Sequence, residues 1–109
     1  MKEIKAIIRP ERLAGVLQAL HQMPGLPGVT VSHVRGFGHR VPAEPDGETF
    51  AAVDMTKLEI VVPAERATEV VNTIQRAAHT GRVGDGKIFT VAVDGAVRVR
   101  SGERDVSAL

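Results

Sequence analysis

The sequence predicts an α+β fold in which four strands and two helices follow one another in the order β-α-β-β-α-β. Three observations carry this. Four short runs are rich in β-branched residues or alternate apolar with polar positions. Two longer stretches repeat apolar residues every three or four positions. Proline and glycine punctuate nearly every boundary between them.

Residues 2–8 (Lys-Glu-Ile-Lys-Ala-Ile-Ile) alternate and read as the first strand. Pro10 suits the first turn of a helix, where its missing N–H is no loss. Leu13, Val16, Leu17 and Leu20 then form one apolar stripe, and Pro24-Gly25-Leu26-Pro27-Gly28 ends that helix. Residues 29–34 are β-branched and alternating, a second strand. From 36 to 54 the pattern dissolves: Gly36, Gly38, Pro42, Pro45 and Gly47 interrupt it, and Arg40, Glu44, Asp46 and Glu48 keep it polar. A loop of that length is usually functional or disordered. Strand character resumes over 57–62. Pro63 opens a second helix with Val70, Val71, Ile74, Ala77 and Ala78 facing inward, and residues 88–93 form a fourth strand. Asp94-Gly95 signals a tight turn. Residues 96–100 then read as a short returning strand, and the polar tail 101–109 as loosely held. This is the order of the ferredoxin-like split unit, whose two halves of similar length form a weak internal repeat.

A chain of 109 residues is expected to be one domain, residues 1–109. Hydrophobic residues make up 43%, enough for a globular core, but the rings are three Phe with no Trp or Tyr. Such a core favours oligomerisation. Fourteen basic and 13 acidic residues leave a formal charge of +1, which argues against a nucleic-acid partner. The scarcity of aromatics removes stacking platforms for single strands. With no cysteine there is no disulfide, thiolate metal site or thiol nucleophile. Residues 1–5 do not read as a signal peptide, and no run of about 18 apolar residues occurs. The expected compartment is the cytoplasm.

The richest stretch is His79-Thr80-Gly81-Arg82-Val83-Gly84-Asp85-Gly86-Lys87-Ile88-Phe89. Glycines let backbone N–H groups crowd around an anion, and Lys87 adds a full charge. Gly81 to Lys87 formally fits G-x-x-x-x-G-K. The phosphate loop with that pattern, however, follows a strand, opens a helix and places Ser or Thr after the lysine. Here a helix precedes, a strand follows, and Ile88 stands after the lysine. Two readings stay open: a phosphate cradle, or a plain helix-to-strand connection with Gly81 ending the helix and Asp85-Gly86 turning the chain. Arg98 and Arg100, two apart on one strand face, favour the cradle, because paired arginines suit phosphate oxygens. Gly36-Phe37-Gly38-His39 repeats the glycine theme at the mouth of the long loop, as a second close approach to a ligand or a simple hinge. Glu59, mid-strand, has Lys57 and Arg98 as candidate partners. His21, His33, His39 and His79 are scattered, and no cluster has metal-ligand spacing. No serine sits in a nucleophile elbow. The residues offer binding chemistry and no evident catalytic set.

Along nearly its whole length the chain resembles the PII signal-transduction proteins, the trimeric nitrogen-regulatory sensors. Residues 1–10 look like the family's first strand and helix start, and Val34-Arg35-Gly36-Phe37-Gly38 like the entry to its T-loop (36–54). Residues 57–62 look like its third strand. Residues 80–89 are close to its B-loop signature, the most specific match, with the B-loop-like segment at 80–87. Arg98-Val99-Arg100-Ser101-Gly102-Glu103 resembles its C-terminal segment (95–109).

The resemblance implies a homotrimer with adenine-nucleotide sites (ATP, ADP or AMP) between subunits. Thr80, Gly84, Asp85, Gly86 and Lys87 would hold the phosphates. Arg98 and Arg100 would reach them from the neighbouring copy. Ile7, Val29, Thr30, Glu59, Ile60 and Val61 would line the base and ribose end, and Gly36, Phe37 and Gly38 would couple the site to the loop, where His39 and Arg40 are placed to contact the terminal phosphate. Where the family has Arg-Gln after Gly-Phe-Gly, this chain has His39-Arg40. Met55 replaces a loop lysine, and there is no tyrosine to modify. The family's magnesium and 2-oxoglutarate are therefore not carried over. The implied function is a divergent, PII-like sensor, not an enzyme, that regulates a target protein such as a transporter or metabolic enzyme. The alternatives are a small hydrolase of the acylphosphatase type on the same fold, or a structural trimer that senses nothing.

Overall fold

In a computed structural model that describes residues 1–37 and 52–109, the chain adopts the expected ferredoxin-like order. Four strands, β1 (Lys2–Ile8), β2 (Thr30–Gly36), β3 (Val53–Val62) and β4 (Gly86–Ala92), form one antiparallel sheet in the order β2-β3-β1-β4. Two helices, α1 (Leu13–His21) and α2 (Ala67–Ala78), cover one face.

The period-2 pattern decides which side chains face the helices. Ile4, Ala6 and Ile8 of β1 and Leu58, Ile60 and Val62 of β3 meet Val16 and Leu20 of α1 and Val70, Ile74 and Ala78 of α2 in the core. Leu13, Leu17, Val71 and Ala77 pack half-buried against it. Thr56, on the same inward face, is fully buried, and among the described residues its Oγ1 has no hydrogen-bond partner. No helix among the described residues covers the other face. Glu3, Lys5 and Ile7 of β1, Lys57, Glu59 and Val61 of β3, and Lys87, Phe89 and Val91 of β4 lie along it by register.

The internal repeat is visible in how the helices start and stop. Each is entered through a 3₁₀ turn, Pro10–Arg12 or Ala64–Arg66. Arg12 donates from Nε and Nη2 to Ala77 O, at 3.0 and 2.6 Å, on the last turn of α2. Arg66 donates from Nη1 to Pro24 O at 2.6 Å, just beyond α1. Each half thus caps the other's helix with a cation at the negative end of its dipole.

Three boundaries differ from the expectation. The ladder continues to Gly36↔Val53, so the loop expected over 36–54 is paired at both ends, with Arg35 and Asp54 facing each other. The rest of that loop, including Gly38, His39 and Arg40, lies outside the described residues. The returning strand expected over 96–100 does not form. A single bridge joins Val97 to Arg104, and Gly102 at φ 76° turns the chain back so that its N–H reaches Arg98 O. The tail is held rather than loose: it forms a 3₁₀ turn over Asp105–Ala108, and Ala108 and Leu109 are half-buried.

Candidate functional site

The glycine-rich turn links the end of α2 to the start of β4 and packs against the end of β1. Gly81, Gly84 and Gly86 all take positive φ, at 85°, 96° and 103°. At Gly86 glycine is obligatory: a Cβ there would lie 1.7 Å from Ile7 O. The turn is tied from within by the Asp85 carboxylate. It accepts from Thr80 N at 2.8 Å, Gly81 N at 2.9 Å and the Thr80 hydroxyl, and pairs with Arg9 Nε at 2.9 Å. Arg9 Nη2 also donates to Val83 O at 2.7 Å. These donors, the Thr80 hydroxyl foremost, then its main-chain N–H and Arg9, hold the Asp85 carboxyl far below the usual aspartate range, against some desolvation.

The Asp85 side chain is thus turned into the loop, where its carboxylate is engaged by Arg9, Thr80 and Gly81. Lys87 is exposed on the helix-free face, opposite Ile7 in register, with no ion pair among the described residues. Arg9 was missed by sequence reasoning. Its partner lies 76 residues away, and only the β1–β4 pairing brings them together.

A second cleft of about 570 Å³ lies at the other end of the sheet, lined by Glu3, Thr30, Glu59, Val61, Arg98 and Leu109 among others. Glu59 titrates below the usual glutamate range: the Glu3 carboxyl shares a hydrogen bond with it, and the Lys57 ammonium at 3.4 Å and Lys5 favour its charge, against partial burial. Of the two candidate partners of Glu59, Lys57 forms the ion pair and Arg98 does not. Arg98 instead donates from Nε to Ala108 O at 3.3 Å and from Nη2 to Leu109 O at 2.7 Å. Arg100 lies exposed within the turn that reverses the chain between Arg98 and Glu103, and so shares no strand face with Arg98.

The remaining expected residues divide by the alternation of the strands. Ile7, Glu59 and Val61 lie on the helix-free face, and Thr30 stands opposite Glu59. Ile60 points the other way and is 1% exposed in the core, so its side chain cannot line the cleft. The alternation Glu59-Ile60-Val61 already carried that signal. Val29 packs half-buried against the core. Gly36 ends β2, and Phe37 beyond it is 63% exposed. Met55 is nearly buried against Gly36 and offers neither charge nor a hard donor. Among the described residues no group of three His, Asp or Glu could hold a metal ion.

The two halves do not meet within one chain. The glycine-rich turn abuts Ile8, the Arg98 cleft abuts Glu3, and the five residue steps from one to the other span roughly 17 Å of strand.

Comparison with known proteins agrees with this frame. The family model described as nitrogen regulatory protein P-II matches residues 1–103. The nitrogen regulatory protein P-II of Rhodospirillum rubrum is 39% identical over 116 residues, covering 100% of both chains. Nitrogen regulatory protein P-II 2 of Methanothermobacter thermautotrophicus is 46% identical over 114 residues, covering 100% of this chain and 97% of its own. Among solved structures, Arabidopsis thaliana PII bound to citrate matches with a TM-score of 0.83 at 44% identity, over 99% of this chain and 91% of that one. No helix among the described residues is long and apolar enough to cross a membrane.

Proposed function

The chain belongs to the nitrogen regulatory protein P-II family, and from that membership and its two half-sites we propose that it is a cytoplasmic signal-transduction protein that binds ATP, ADP or AMP between copies of itself. The observation that carries this is the glycine-rich turn. Three positive-φ glycines open it, and Asp85 and Arg9 fix it from within, with Lys87 free beside it. Such a turn suits a polyphosphate, because main-chain N–H groups and one ammonium can face the anion while the Asp85 carboxylate is tied back by Thr80, Gly81 and Arg9.

The separation of the turn from Arg98 supports a site shared by two copies. A head-to-tail contact would bring the Arg98 end of one copy to the Lys87 end of the next, and heterologous contacts of this kind close into rings. The helix-free sheet face, with Phe89 and Val91 exposed beside the charges of Glu3, Lys5, Lys57 and Glu59, is suited to burial in a homotrimer. Bound nucleotide then biases the loop between β2 and β3, which a target protein reads; it can do so only by binding the loop's conformers with different free energies. Magnesium and 2-oxoglutarate are not part of this proposal, since Met55 stands where an acid would need a cation.

Calorimetry with ATP, ADP and AMP, and sedimentation of the protein alone, test the proposal. Binding of at least one nucleotide at one site per chain in a trimer is expected. No heat from any of the three at millimolar concentration overturns it.

A further inference from the structure

We propose that the tail over residues 106–109 competes with nucleotide for part of the nucleotide site and must leave before nucleotide binds. The inference rests on the nucleotide reading above and adds a competitor built into the chain.

Three observations carry it. The first is the edge of the Arg98 guanidinium that the tail takes. Nε and Nη2 together form a fork that matches a carboxylate or phosphate bidentately, and these two atoms donate to Ala108 O and Leu109 O. A phosphate approaching Arg98 on that edge meets the tail oxygens in its place. The second is where the tail lies. Residues 101–107 are exposed, yet Ala108 and Leu109 are half-buried in the cleft shared with Thr30, Glu59 and Val61, which are residues expected to line the base and ribose end. The tail therefore stands both on the phosphate-binding arginine and beside the base pocket. The third is how it gets there. Asp105 takes φ 57°, the one positive φ outside glycine among the described residues. It is pinned by Asp105 N to Ala96 O at 2.8 Å, with its Oδ1 accepting from Ala96 N. A non-glycine residue holds that conformation only where its surroundings over-determine it, and this one folds the last residues back onto Arg98.

The acceptors are main-chain oxygens, so no side-chain substitution removes them, and the test is a chain ending at Asp105. None of the residues over Asp105–Ala108 is buried, and the bridge of Val97 to Arg104 is retained. Isothermal titration with ATP is expected to give a dissociation constant roughly tenfold lower for the shortened chain, the scale of one or two charge-assisted hydrogen bonds no longer broken. Hydrogen exchange on the full chain gives a second readout: ATP is expected to speed exchange at residues 106–109. Equal affinities with unchanged exchange in the tail overturn this inference and leave the nucleotide reading standing. Weaker binding by the shortened chain also overturns it, because the tail would then be part of the ligand's site. No binding by either chain overturns the nucleotide reading and this inference with it.

Discussion

Arg9 Nε lies 2.9 Å from Asp85 Oδ1, joining the end of β1 to a loop 76 residues further along the chain. The carboxylate also holds Thr80 and Gly81, so its charged form is favoured in the folded state and its pKa is depressed. A depressed carboxylate contributes stability above its unfolded pKa of about 3.9, and that contribution fades as pH falls below it. The urea midpoint of the native protein is therefore expected to drop as pH is lowered from 5 toward 2. Asp85→Asn should be less stable at pH 7, and its difference from the native protein should shrink over that window. A difference that stays constant with pH would refute the role given to this carboxylate.

Two glycines with positive φ make opposite predictions for alanine. At Gly86 a Cβ would sit 1.7 Å from Ile7 O, so β4 must separate from β1. Gly86→Ala is expected to cost more than about 3 kcal/mol, or to abolish folding. At Gly102 nothing lies within 4 Å of the added atom, and only the conformational preference is lost, roughly 1 kcal/mol. Thermal melts of the two variants settle the comparison, and similar losses would contradict it.

Thr56 is fully buried, and its hydroxyl has no partner among the described residues. Valine has nearly the same shape and removes the polar group without opening a cavity. Thr56→Val is expected to stabilise by about 1 kcal/mol, a rise of roughly 4 °C in melting temperature. Thr56→Ala, which leaves a void, should lower it. A valine variant that melts below the native protein would mean the hydroxyl is satisfied after all.

The elements were legible because apolar spacing and burial obey the same periods. Val16 and Leu20, then Val70, Ile74 and Ala78, sit where a 3.6-residue repeat puts them, and Ile4, Ala6 and Ile8 where a two-residue repeat does. What the sequence concealed was pairing at a distance. Nothing near Arg9 signals Asp85, and nothing near Arg98 signals that its donors turn to its own tail. The strand expected over 96–100 failed because Gly102 closes a tight turn that alternation cannot register. The inward side chain of Ile60 follows from the alternation Glu59-Ile60-Val61.

Arg12 and Arg66 occupy equivalent places in the two halves, each capping the far end of the other's helix. Arg12→Met and Arg66→Met keep most of the side-chain volume and remove the donors. Each is expected to cost about 1 kcal/mol. Because the two caps share no partner, the double variant should lose close to the sum. A double variant no worse than either single one would show that the halves do not depend on these reciprocal caps.

Lys87 and Arg98 lie at opposite ends of the sheet in one chain, and this gives the shared-site proposal its sharpest test. Lys87→Ala and Arg98→Ala should each weaken ATP binding by roughly ten- to a hundredfold, the scale of a charge-assisted phosphate contact. If a site takes Lys87 from one copy and Arg98 from the next, unfolding the two variants together and refolding them should restore some sites. In a ring assembled at random from equal amounts, roughly a quarter of the junctions join an intact Lys87 to an intact Arg98. Titration of the refolded mixture is then expected to show tight binding at about that fraction of sites, with the remainder weak. Separately refolded variants combined without exchange of copies should show none. If the mixture binds no better than its components, either each chain forms its site alone or the two residues serve different ligands, and the head-to-tail arrangement is wrong.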